Sequence, residues 1–376
     1  MPPIVSGPLT TFQTTNDKID DLQNALDWLP ATQMDTALLR RWGINGKNGN
    51  SAKSTKIEWS QTSLRPRSET ITLADGTGVT VTVTDANNYQ IGELIRCENE
   101  VMRVTARPSA TTLTVTRAYS GTTGAAHAAK QMYSLGTADV ENAVPGASVT
   151  ETPTKLFNYT QTFSVPVEVS KDQIMSWTVD GNTLDAQLER RFIEQNRQLA
   201  RAVLYGRKYQ DVTNKINVMG GFFEQIVTNV TNVGGANTIA SIDALLLKIV
   251  NKGGDPKTIA VSPFQKQKLD ALDANKQLLG KQEHTGGNLI TNTWQSGILD
   301  HPLDIVVDKS LMDDQLLITD DDMLEIMPFS NNGESGSWAT YDATTPGQDG
   351  KKKVLRGKFT NKLHNEAAHG YLYGLT

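Results

Sequence analysis

The sequence predicts an α+β fold, and three observations predict it. Apolar and polar residues alternate with period two through much of the stretch from Lys56 to Val169, as in half-buried antiparallel strands. One long amphipathic helix follows, over Thr183 to Tyr205. Beyond it, residues 236–330 alternate short helical and short strand patterns.

Bulk properties bound the rest. The 376 residues suffice for two or three packed regions. With 36 basic against 41 acidic residues the formal charge is -5, which argues against a dedicated nucleic-acid binder with a concentrated basic face. It leaves room for a surface that merely lies beside DNA. Cys97 is the only cysteine, so no intrachain disulfide can form, and in "LIRCENE" it reads as a small apolar strand residue. The start, "MPPIVSGPLTTFQ", lacks the basic and apolar regions of a signal peptide, and no apolar run is long enough to span a bilayer.

In chain order, residues 1–54 read as an N-terminal arm. Ile19, Leu22, Leu26 and Leu29 recur at helical spacing until Pro30, and "MDTALLRRWG" repeats the pattern up to Gly43. A Gly/Asn/Ser loop, "INGKNGNSAKST", follows. So little apolar material predicts an arm that borrows a partner. Residues 55–170 form a long excursion, outward through "KIEWSQTSLRPRSETI" and back through "KLFNYTQTFSVPVEVS". Between these lies a distinct module at 70–137. There Val79, Val81 and Val83 alternate with Thr80, Thr82 and Thr84, and turn signals recur at the spacing of a small sandwich or barrel.

Residues 171–235 hold the long helix, roughly 33 Å at 1.5 Å per residue. Leu184, Leu188, Phe192, Leu199 and Val203 make its apolar stripe, Asn182 or Thr183 can cap its start, and Gly206 stands where a left-handed C-terminal residue belongs. A rod packed along one stripe predicts a spine. Residues 236–330 then read as a compact α/β or α+β unit, with Ser262 capping a helix that opens on Pro263. In 331–376, a loop is followed by "KVLRGKFTNKLHN" and "HGYLYGL", which read as a hairpin returning to the spine.

No chemistry stands out. In "HNEAAH" the histidines, His364 and His369, are five apart rather than four, and the glutamate is displaced from the position a zinc protease needs. "TDDDM", Asp320 to Asp322, lacks the spaced acids, glycine and distal glutamate of a calcium loop and reads as a turn. The Gly220-Gly221 pair is not followed by Lys-Ser/Thr, and no serine sits in a Gly-x-Ser-x-Gly elbow. Lys351, Lys352 and Lys353 read as a solvated charge run. The chain is therefore expected to be no enzyme and to need no cofactor or metal.

An arm, a long excursion, a spine and a compact α/β unit, in that order, resemble the Hong Kong 97-type fold of tailed-phage major capsid proteins. The chain looks most like the major head protein family typified by bacteriophage SU-ten. The stretches that carry the resemblance are "LPATQMDTALLRRWG", "KIEWSQTSLRP", "NYTQTFSVPVEVS", "LERRFIEQNRQLARAVLYG" and "HNEAAHGYLYGL". It implies an N-terminal arm (1–54), an extended loop (55–170), a spine helix with peripheral domain (171–235), an axial domain (236–330) and return strands to the peripheral domain (331–376). The module at 70–137 departs from the pattern and looks like small β modules of other phage structural proteins, placed to project outward as decoration.

The resemblance further implies hexamers and pentamers of this one chain in an icosahedral virion shell, assembled in the bacterial cytoplasm around double-stranded DNA bound without sequence specificity. Portal, scaffold or decoration proteins would be further partners, and a membrane would not. The extended loop would lie over one neighbour and the arm under another, with glycines from Gly43 to Gly49 absorbing curvature. Trp59, Arg65 and Arg67 are the candidate intersubunit contacts on the outgoing loop, because arginine bonds carboxylates bidentately. Two alternatives are an encapsulin-like shell around an enzyme and an adhesive or carbohydrate-binding β protein. The second fits poorly, since the aromatics of the module are only Tyr89, Tyr119 and Tyr133.

Overall fold

The computed structural model describes residues 35–62, 65, 67–138, 141, 153–176, 183–272, 277–279, 292–331 and 334–376. The helical pattern expected over Ile19–Leu29 lies outside them.

The described chain opens on helix α1 (Ala37–Trp42), whose apolar side chains Leu38, Leu39 and Trp42 are buried in the main core. Here the arm reading is corrected. Residues 35–54 lie on the chain's own body, because three large apolar side chains at helical spacing are enough to dock one turn into an existing core. Gly43, Gly46 and Gly49 all take positive φ, and the Gly46 amide bonds the Ile326 carbonyl at 2.9 Å. They are fixed turns rather than free joints.

Strand β1 (Lys56–Gln61) leads into the module strands β2 (Ser68–Leu73), β3 (Thr80–Thr82), β4 (Glu93–Cys97), β5 (Glu100–Ser109), β6 (Thr112–Thr116) and β7 (His127–Thr137). These six form an antiparallel sheet in the order β2-β7-β4-β5-β6-β3. The two edge strands approach each other, since Glu69 on β2 accepts from the Thr84 amide and, at 2.9 Å, from the Tyr89 hydroxyl. The inward residues, among them Ile71, Val81, Ile95, Cys97, Met102, Val104, Leu113 and Met132, form a buried cluster that, among the described residues, is made only of module residues. Val79 is exposed and only Val81 and Val83 face inward. Because that core is self-contained, deleting Ser68–Thr137 and joining the ends with a short Gly/Ser linker is expected to leave the remaining chain soluble. Its far-UV circular dichroism and melting midpoint are the measurement, and insoluble protein would refute a separate core.

The chain returns through β8 (Thr154–Tyr159), which pairs antiparallel with β1 from Lys56↔Tyr159 to Gln61↔Thr154. Then come β9 (Gln161–Ser170), α2 (Lys171–Met175) and α3 (Thr183–Tyr205). Helix α3 is not packed along one stripe throughout. Its final turns bury Leu199, Ala200, Val203 and Leu204 in the main core, while Phe192 is half-exposed with its ring against Trp338. Gly206 is also not left-handed. Glycine is required because a Cβ there would sit 2.4 Å from the Met219 carbonyl oxygen and 2.5 Å from that of Ala202.

The hairpin β10 (Tyr209–Asp211) and β11 (Ile216–Val218), then α4 (Phe222–Gln225), lead into an α/β unit. It holds β12 (Val230–Gly235), α5 (Ile239–Asn251), β13 (Thr258–Val261), α6 (Pro263–Asp270), β14 (Gln277–Leu279), β15 (Asn292–Trp294), β16 (Leu303–Val307) and β17 (Leu316–Thr319). Ser262 caps α6 by accepting from the Gln265 amide, with Pro263 in its first turn. Next come β18 (Leu324–Pro328), β19 (Ser330–Asn331), β20 (Glu334–Ser335), β21 (Ala339–Asp342), β22 (Gly350–Leu363) and β23 (Gly370–Leu375).

Two placements differ from the sequence expectation. The last two long strands are not a hairpin. β22 carries β9 along one edge and β18 then β21 along the other, whereas β23 crosses into the seven-stranded sheet β12-β23-β17-β13-β16-β15-β14. β18, expected within 236–330, belongs to the β22 sheet, pairing from Leu324↔Leu363 to Pro328↔Phe359. Leu372 and Leu375 are buried with α5 and β17, so β23 adds its apolar side chains to the core of the seven-stranded sheet.

Candidate functional site

The root of the β1–β8 ribbon is held by a buried polar hub. Asn158 on β8 donates to the carbonyls of Gly220 (3.1 Å) and Asn361 (2.9 Å) and to the Asn361 side chain (2.6 Å), and accepts from the Gly220 amide (2.8 Å). Asn361 in turn donates to the Val203 carbonyl of α3 at 3.2 Å, and Gln225 donates to Asn361 Oδ1 at 2.6 Å. Burial makes each of these bonds costly to lose, so the ribbon leaves the end of the spine helix at a fixed angle. Outside this root the ribbon has no core of its own. Among its side chains only Trp59 and Asn158 are buried.

The three contact candidates do not come together. Trp59 is buried near the root, with the Lys362 ammonium 5.9 Å from its ring and its indole N–H unpartnered among the described residues. Arg65 lies farther out and clamps the module, donating to Asn88 O (2.9 Å), Glu93 Oε1 (2.7 Å) and Ser134 Oγ (2.7 Å). Arg67 is exposed. Of the three, Arg67 is the one exposed to solvent with no such clamp among the described residues.

Sequence reasoning missed a different site. The Asp320–Asp322 turn, read as bland, is the dock for the N-terminal segment. Asp321 accepts from Arg41 Nε (2.6 Å), Trp42 Nε1 (3.1 Å), Thr258 Oγ1 (2.7 Å) and Thr319 Oγ1 (3.2 Å), while Arg41 also pairs with Asp304 at 2.7 Å. Asp322 pairs with Lys257 and, at 3.6 Å, with Lys47. The Lys47 amide bonds Glu325 Oε1 at 2.7 Å, and the Leu38 amide bonds Asp308 Oδ2 at 2.9 Å. The available signal was charge matching between "LLRRWG" and the acidic triplet.

The histidines of "HNEAAH" are separated by a short 3-10 turn, Glu366–Ala368, capped by the Asn365 side chain. His364 faces Glu325 at 3.6 Å. His369 is fully buried, accepts at Nδ1 from the Asp320 amide (3.3 Å) and donates from Nε2 to the Met323 carbonyl (3.3 Å). That arrangement fits the neutral ring, and burial pushes its pKa down to about 4. As pH falls below ~6.5 the unfolded chain takes up a proton that the native ring refuses until about 4. Stability is therefore expected to decline by about 3 kcal/mol across that window. Urea titrations at pH 7 and pH 4.5 measure the slope, and His369→Phe should flatten it. Among the described residues no group of three or more His, Cys, Asp or Glu is placed to hold a metal ion. None of the described helices is long and apolar enough to cross a membrane.

An open groove of about 590 Å³ lies at the C-terminal end of α3, lined by Tyr205, Phe223, Val227, Met312, Tyr371 and Tyr373 among others. Tyr205 stacks on Phe223 at 4.9 Å, and Tyr371 meets Phe223 edge-on at 4.8 Å. Burial raises the Tyr205 phenol to about 12, so it stays protonated. It donates to Gln315 Oε1 at 2.9 Å and accepts from the Met312 amide at 2.8 Å.

Solved structures share this fold end to end. The capsid of the native GTA particle superposes with a TM-score of 0.52 at 10% identity, covering 97% of this chain and 98% of that one. The capsid of the empty GTA particle gives 0.51 at 10% identity, covering 98% of each. A structure from Mycobacterium phage Adephagia covers 98% of each chain at 10% identity, with a TM-score of 0.47. No curated protein matches the chain. At such identities the two GTA superpositions establish the fold alone, the Hong Kong 97-type capsid fold, and the family rests on the sequence itself. The family model described as SU10 major capsid protein matches residues 7–376, so the chain belongs to that family and is a major capsid protein, a structural subunit of a virion shell made from copies of itself.

Proposed function

We propose that copies of the chain tile an icosahedral shell as hexamers and pentamers around double-stranded DNA held without sequence specificity. Portal, scaffold or decoration proteins join it, and the shell assembles in the bacterial cytoplasm. The observation that carries this reading is the β1–β8 ribbon. A two-stranded ribbon with one buried side chain per strand is marginal in water alone, and packing over a neighbouring copy is what would stabilise it. The formal charge of -5 suits a wall beside DNA rather than a tight binder of it. In this arrangement the residues before 35 serve as arm, and the units at 55–170, 171–235, 236–330 and 331–376 as extended loop, peripheral, axial and return segments, with residues 35–54 docked on the body and β18 and β23 exchanged between sheets as above.

Negative-stain electron microscopy of the purified chain is the test. Closed particles of uniform diameter are expected, and a monodisperse particle of one chain at every concentration would overturn the proposal. Arg67→Glu probes the loop contact without unclamping the module and is expected to lower the yield of closed particles severalfold. An unchanged yield removes Arg67 from the interface. Arg65 is a poorer probe, because its charge reversal would also strike Glu93 inside the same chain.

A further inference from the structure

The aromatic groove at the end of α3 exposes apolar surface beside the charged Arg207 and Glu224. Val227 is 73% exposed, Met312 52% and Tyr373 37%. The described chain begins beside it. The Asp35 carbonyl accepts from Ser310 Oγ at 3.0 Å, two residues from Met312, and the Asp35 carboxylate pairs with Arg197 at 2.9 Å, two helical turns before Tyr205. Eight residues of helix amount to about 12 Å. Residues 30–34, if extended, reach roughly 17 Å. A segment ending at Leu29 can therefore lie over the groove of its own chain.

That segment has the side chains a groove of this kind takes. At the helical spacing of their sequence, Ile19, Leu22, Leu26 and Leu29 would share one narrow stripe about 15 Å long, opposite Asp20, Asp21 and Asp27. An amphipathic helix laying an i, i+3, i+7 stripe into an apolar groove is a recurrent recognition mode. We propose that the stripe Ile19–Leu29 of the same chain docks into the groove formed by Tyr205, Phe223, Val227, Met312, Tyr371 and Tyr373. Docking covers the apolar surface of the subunit before it meets a neighbour and holds the arm at the end of the spine. The short path from Asp35 favours the chain's own segment over that of a second copy.

The test uses the full chain carrying Leu26→Cys and Met312→Cys, and the native Cys97 is buried and out of reach. Treated dilute with a short bismaleimide, the soluble subunit should form an intrachain cross-link, seen as a faster band on a denaturing gel. A control with Leu26→Cys and Val79→Cys should give at least tenfold less. Adding Leu22→Asp and Leu29→Asp to the first variant should lower its cross-linking about tenfold. Equal linkage in test and control, or no loss with the aspartates, overturns the docking. A predominantly interchain product overturns the same-chain assignment and gives the groove to a second copy. Closed particles forming without this cross-link sink the docking alone, whereas the cross-link without closed particles sinks the shell proposal alone.

Discussion

Glu100→Gln is expected to unfold the β module while leaving the rest of the chain intact. The Glu100 carboxylate is buried and takes two charged bonds from Arg117, Nε and Nη2 each at 2.6 Å. It also meets His127 Nε2 at 2.9 Å and accepts the amides of Ala118 and Ala125, both at 3.1 Å. Burial works to raise its pKa, but the Arg117, His127 and amide bonds outweigh burial and hold it at about 2. In the glutamine variant an amide N–H₂ faces the guanidinium, and Arg117 is left as a buried, uncompensated cation.

Breaking one side of such a pair costs about 3–5 kcal/mol, a large share of what a module of this size can hold. Hydrogen exchange should then become fast across β4 to β7 and stay slow across β13 and β17. Protection unchanged in β4 to β7 would show that the pair is not what stabilises the module. Replacing both partners, Glu100→Leu with Arg117→Met, should cost less than the single change, because no charge is stranded. The sign of the pH effect follows from the lowered pKa. The contribution is complete above the unfolded value of ~4.5 and is lost as pH falls through about 2.

Asp321→Ala is expected to release the N-terminal segment. Arg41, the Trp42 indole, Thr258 and Thr319 lose their acceptor together, and two of these four donors belong to that segment. Arg41 is partly exposed and retains Asp304, so its share is the small one expected of a surface pair. The buried hydroxyl and indole donors add ~1 kcal/mol or more each. The expected total is about 2–3 kcal/mol, read as a lower urea midpoint. Limited proteolysis should show new cleavage near Arg40 and Arg41, with the fragment beyond residue 54 intact. Resistance at those sites would mean that burial of Leu38, Leu39 and Trp42 holds the segment without Asp321.

Much of the architecture was legible because its cause is local. Periodicity alone marks the alternating threonines and valines of β3, the stripe of α3, and the Ser262-Pro263 start of α6, since each depends only on residues within a turn or a strand of one another. The Asp320–Asp322 site was not legible. An acidic triplet looks the same in sequence whether water or a guanidinium some 280 residues away completes it, and here Arg41 and Trp42 do so. Trp59 and Arg65 read as outward contacts for the same reason, because their partners Lys362 and Glu93 are set by how the ribbon and the module fold back.

The sequence by itself determined the order of the elements, the self-contained core of the module and, through the stretches it shares with one family, the shell-forming role. Only the tertiary structure decided that residues 35–54 belong to the body, that β22 and β23 part into different sheets, and that Gly206 serves close packing rather than a left-handed turn. Patterns of two and 3.6 residues report which face of an element seeks a core. Which core it finds is decided by long-range packing, where the same apolar stripe can be satisfied by several surfaces and the one burying the most area prevails.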